Sequence, residues 1–71
     1  MINIIILIDY IFSNNYEDFL STLRPYLYNK IKDNDIIKTY DNIIWYYMFN
    51  DFELAKKDAI KIVKYINKHL N

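Results

Sequence analysis

The tetrapeptide Asn14-Asn15-Tyr16-Glu17 returns as Asn50-Asp51-Phe52-Glu53, an offset of 36 residues, and this recurrence constrains the fold more than any other feature of the chain. A repeat at a period of a few tens of residues marks a supersecondary unit that cannot bury its apolar face alone. Each copy opens with Asn and places Glu three residues later. That is the arrangement of a capping box, in which two side chains satisfy the amides left free at a helix start. Apolar residues at helical spacing follow both copies, so each box is expected to begin an amphipathic helix.

In the second copy the apolar stripe is Phe52, Ala55, Ala59, Ile62, Val63, Ile66 and Leu70, in steps of three and four along one helical face. In the first it is Tyr16, Phe19, Leu20, Leu23, Tyr26 and Leu27. Upstream of the second box, Ile36, Ile37, Tyr40, Ile43, Ile44, Tyr47 and Met48 show the same spacing and predict a helix over Asp35 to Phe49. By the 36-residue offset, Ile2 to Phe12 holds the equivalent place before the first box. Taken alone, this Ile-rich run could be a buried strand, because periodicity does not separate the two at such length. The repeat favours helix.

The chain has no Gly, so Asn is the remaining residue that ends a helix cheaply in a left-handed conformation. Asn14 and Asn50 are therefore expected to end one helix while starting the next. Joints this short make neighbouring helices antiparallel. The expected fold is all-α, one domain of four helices in two antiparallel hairpins, about 2–29 and about 34–70, linked near Asn29 to Asn34. The two hairpins are expected either to stack as units of a helical repeat or to form a small helical bundle. Pro25 breaks the pattern, since inside a helix it removes one hydrogen bond and crowds the preceding turn, and a break or kink is expected at Arg24.

A helix of about a dozen residues, a tight polar joint, then an aromatic residue with Ala three residues on, resembles the tetratricopeptide repeat. The resemblance is carried by Tyr46, Phe52 and Ala55 in the second copy and by Tyr10 and Tyr16 in the first. It spans nearly the whole chain but is loose. Ile43 stands where that family favours Gly, Phe19 where it favours Ala, and Ala59 where it favours a large aromatic residue. Similar degenerate repeats form the peptide-sensing and dimerising parts of bacterial and phage quorum regulators. The resemblance thus implies a small protein that binds or mimics such a regulator, an analogy of fold.

With 71 residues the chain is one small domain, and a fold of this size buries only about 60% of the surface its unfolded form exposes. Cys is absent, which rules out disulfides, zinc thiolates and thiol catalysis. Nine basic residues balance nine acidic ones, removing a bulk electrostatic drive toward nucleic acid or anionic membrane. The apolar opening stops near half the roughly 20 residues of a membrane span, and no Lys or Arg precedes Arg24 as a secretory signal would require. A cytoplasmic protein without a membrane span is expected.

No enzyme is expected either. His69 is the only histidine and sits where a cation complements the end of a helix dipole. Ser13, Ser21, Thr22 and Thr39 have no nucleophile motif around them. Without glycine there is no phosphate-cradling loop. Asp33, Asp35 and Asp41 read as helix-start charges and loop solvation, so no metal, cofactor or small-molecule substrate is expected.

Two features point to partners. Lys57, Lys61, Lys64 and Lys68 step by four, three and four to form a basic stripe, which suits an acidic partner or, less well, a phosphate backbone. The stretch Ile43 to Phe49 is apolar around its whole circumference, so one side is expected to need cover from outside the fold. Trp45, Tyr46 and Phe49, with Tyr10 as the first-copy counterpart of Tyr46, are the expected anchors of a protein partner or a homodimer, Ile44, Tyr47 and Met48 lying inward. The expected function is a non-enzymatic interaction module, a regulator or inhibitor of phage or mobile-element origin. The alternatives are a bacteriocin-type immunity protein and a nucleic-acid binder using the lysine stripe.

Overall fold

The computed structural model describes residues 2–71 and contains four helices. These are α1 (Ile4–Phe12), α2 (Tyr16–Asn29), α3 (Asn34–Met48) and α4 (Phe52–His69). The fold is all-α, and the described residues hold no strand. The run that opens the chain is helical, beginning two residues later than expected because Asn3 caps it by accepting from the Ile6 amide at 3.1 Å.

The repeat is realised at the joints. Among the described residues, Asn14 and Asn50 are the two with positive φ, 54° and 58°. Each ends its helix in the left-handed conformation that Asn tolerates. In the first joint the Asn15 amide donates to Tyr10 O at 2.8 Å and the Asn14 amide to Ile11 O at 3.1 Å. In the second, Asp51 and Asn50 donate to Tyr46 and Tyr47 at the same two distances. Both are Schellman closures, which satisfy carbonyls left free at a helix end.

The capping assignment is corrected by one residue. Asn14 and Asn50 terminate helices but do not start the next ones. The caps are Asn15, accepting from the Asp18 amide, and Asp51, accepting from the Leu54 amide, each at 3.3 Å. Glu17 and Glu53 therefore sit one position too early for a reciprocal box. The positive φ takes one residue of the joint for itself, and the cap moves to the next.

The linker expected near Asn29 to Asn34 is present, and Ile31 within it is buried. Asp33 starts α3 by accepting from the amides of Asp35 and Ile36 at 2.9 and 3.3 Å. α2 runs unbroken through Pro25, correcting the break expected at Arg24. Pro25 and Ser21, whose carbonyl loses its usual donor, both lie on the exposed side of the helix, where water replaces the missing bond.

Each helix packs on its neighbours in sequence, and α4 returns against α1, so the four close into a ring around one core. α1 and α3 lie diagonally across it rather than side by side as in a stack of hairpins. The arrangement is that of a small helical bundle. Every residue of the two stripes drawn on α2 and α4 is buried or packed against the core. Tyr16 and its repeat counterpart Phe52 stack on each other with ring centroids 6.1 Å apart. The Tyr40 hydroxyl ties α3 to α2 by donating to Leu20 O at 2.6 Å within the core. At the opposite end the Asn71 side chain accepts from the Ile2 amide at 3.2 Å and donates to Ile2 O at 2.8 Å, holding the two ends of the fold together.

Candidate interaction surface

The inner face of α3 is made by Ile36, Thr39, Tyr40 and Ile43. Thr39 can be buried because its hydroxyl donates back to Asp35 O at 2.8 Å, leaving no unpaired polar group. Burial of Thr39 turns the helix toward its own side, and Tyr46, seven residues on, shares that side. Tyr46 is accordingly half-buried against the core, whereas Met48 projects into solvent. The expected assignment of these two is reversed. A segment apolar all round leaves its azimuth to be set by neighbouring helices, not by its own periodicity.

Trp45 is 58% exposed and Phe49 74%. One helical turn apart, their rings stack at 6.1 Å with planes 12° from parallel. Stacking holds both rings outward as one flat apolar plate, with Met48 exposed beside it. Tyr10, the counterpart of Tyr46, is also half-buried against the core and belongs to the packing of α1. Of the four anchor residues read from the sequence, Trp45 and Phe49 form the exposed plate, and Tyr46 and Tyr10 pack against the core.

Lys57, Lys61, Lys64 and Lys68 are all exposed on α4. Lys61 Nζ lies 3.5 Å from Asp35 Oδ2, with both side chains more than half exposed, a pairing of less than about 1 kcal/mol. The hydroxyls of Ser13, Ser21 and Thr39 donate to carbonyls of their own helices, three or four residues back. The His69 ring packs on Tyr65 with centroids 4.7 Å apart. Asp33 is engaged in capping α3 and Asp35 faces Lys61, while Asp41 is exposed on the outer side of α3. Among the described residues no three His, Asp or Glu side chains gather as metal ligands would, and no helix is long and apolar enough to cross a membrane.

The Tyr16 side chain is fully buried, and its hydroxyl has no hydrogen-bond partner among the described residues. Burial pushes its phenol above the ordinary value of 10.0. Its ring meets Phe52 face on and Phe19 edge on, so the hydroxyl is carried into the core by an aromatic cluster. Nothing in the sequence marks this, because Tyr at a core position usually finds a partner.

One further surface was not legible in the sequence. Between α1 and α4 runs a groove of about 350 Å³ lined by Ile8, Ile11, Phe12, Ile60, Val63 and the stem of Lys64. Its residues come from helices at opposite ends of the chain, so no local pattern could join them. Compared with protein-family models, curated proteins and solved structures, the chain has no significant match in any of the three.

Proposed function

We propose that this domain is a non-enzymatic interaction module, a regulator or inhibitor that binds another protein through the outer end of α3. The observation that carries the reading is the stacked plate of Trp45 and Phe49 with Met48 beside it. Large aromatic and Met side chains held at low entropy cost are the residues that dominate protein interfaces. The reading also draws on the sequence resemblance to the tetratricopeptide repeat at Tyr46, Phe52 and Ala55. With it comes the suggested setting, a phage or mobile-element protein acting on a helical-repeat regulator.

Trp45 is the only tryptophan, so its fluorescence reports directly on this surface. Free protein should emit as a solvated indole, and a cognate partner should shift the emission to the blue. Trp45→Ala should weaken binding by about 2 kcal/mol or more, with the far-UV helical signal retained. A partner that binds without moving the emission, and equally well after Trp45→Ala, places the interface elsewhere.

The exposed lysines of α4 favour a second reading, nucleic-acid binding. It requires an affinity that falls steeply with added salt, because contacts to phosphates release counterions. A flat salt response removes it.

A further inference from the structure

The groove between α1 and α4 lies on the side of the ring away from the Trp45 plate and does not depend on the reading given to that plate. Helix α1 is apolar at every position except Asp9 and the hydroxyl tip of Tyr10. A helix of this kind is normally covered all round. Here only one side is, by Leu7 and Ile11, while Ile5 and Phe12 are each 72% exposed. Across the groove Ile60 is exposed too, and the floor between the two helices is apolar. A concave apolar space of about 350 Å³ is large enough to receive a projecting Ile or Phe side chain.

The two walls differ in charge. Outside the apolar strip, α1 carries Asp9, between Ile5 and Phe12 on the same outer side. α4 carries Lys57 and Lys64, three residues before and four after Ile60, and Lys56, whose ammonium lies 5.5 Å over the Phe12 ring, so its three lysines outnumber the single carboxylate on that side, Glu53, one turn before Lys57. One face thus combines an acidic wall, an apolar floor and a basic wall.

We propose that this face pairs with the same face of a second copy of the chain, about a two-fold axis running along the groove. Rotation about that axis exchanges the walls. It lays α1 of one copy antiparallel on α4 of the other and sets Asp9 opposite Lys57 and Lys64 of the second copy. A two-fold axis across the groove would instead set Asp9 against Asp9 and lysines against lysines, so charge selects the first geometry. The net charge of zero leaves no overall repulsion between copies. A membrane surface fits less well, since Asp9 meets anionic headgroups.

Sedimentation of the full chain from about 1 µM to about 0.5 mM, read together with Trp45 emission, tests the proposal. A monomer–dimer equilibrium is expected, with emission unchanged because Trp45 is remote from the contact. Phe12→Glu should raise the dissociation constant about a hundredfold or more, and Ile5→Glu, also at an exposed position, should do the same, each with its helical signal intact. Asp9→Lys should weaken pairing about tenfold, and changing Lys57 and Lys64 to Glu in that background should restore it. The proposal is overturned by a monomer at every concentration, by a dimer indifferent to both apolar variants, or by a blue shift on association, which would place the contact on α3. Binding of the monomer to vesicles of anionic phospholipid in preference to pairing would assign the face to a membrane surface and overturn it as well.

Discussion

Helices α1 and α3 occupy equivalent places in the repeat, and they agree inward and disagree outward. Leu7 and its counterpart Ile43 are both fully buried, and Tyr10 and Tyr46 are both half-buried against the core. The hydrogen bonds that close the two helices match in pattern and length. On the outside, Ile5 stands against Asp41, Asp9 against Trp45 and Phe12 against Met48. Inner positions answer to packing and joints to backbone geometry, which both copies must satisfy. Outer positions answer to neither, yet both helices keep large apolar groups there, on opposite sides of the ring. Both proposed contacts draw on this excess.

The comparison breaks most visibly at the inner pair. Leu7→Ala and Ile43→Ala should each cost about 2–5 kcal/mol, and in a domain this small either loss should unfold most of the protein. Chemical denaturation monitored by circular dichroism measures it, and a large inequality between the two would show that the copies do not share one core. Next come the joints. Asn14→Ala and Asn50→Ala should each lower stability by about 1–2 kcal/mol, the cost of a left-handed residue with a Cβ and no compensating side chain. Replacement by Gly at either position should be neutral or stabilising, and the melting temperatures of the four variants report this directly.

A finer test makes the first copy more like the second. Tyr16→Phe removes the hydroxyl that Phe52 lacks, and because that hydroxyl is buried without a partner the variant should gain about 1 kcal/mol. The raised phenol has a consequence in pH. A group whose folded value lies above its unfolded one stabilises the fold below the unfolded value and withdraws that stability as pH climbs past it. The wild type should therefore lose stability above about pH 10, and Tyr16→Phe should lose less over the same range. An identical alkaline profile for the two would mean that Tyr16 is hydrated in solution. The smallest effect is expected outside: Trp45→Ala should change the stability of the isolated domain by no more than about 0.5 kcal/mol, since the residue is largely exposed and stacks on Phe49, itself exposed.

Much of the fold was legible because its causes are local. Steps of three and four fixed the buried faces of α2 and α4, and the absence of Gly singled out Asn14 and Asn50 as the turning points. The capping error came from a competing local effect, since the same two Asn residues could not both adopt positive φ and serve as caps. Pro25 misled for a different reason. Its cost depends on whether the orphaned carbonyl faces water or core, and that orientation belongs to the packed bundle.

The amino-acid order by itself determined that four helices form and that two of them end at Asn14 and Asn50, which side of α2 and of α4 is apolar, and that more apolar surface exists than one small core can hold. Those properties arise between residues a few positions apart, and each segment carries them alone. Only the tertiary structure decided that α4 closes on α1, that Tyr46 turns inward while Met48 turns out, and that Ile8, Phe12, Ile60 and Val63 share a groove. Such choices rest on contacts between segments far apart in the chain. The rotation of a helix about its own axis is set by whatever packs against it.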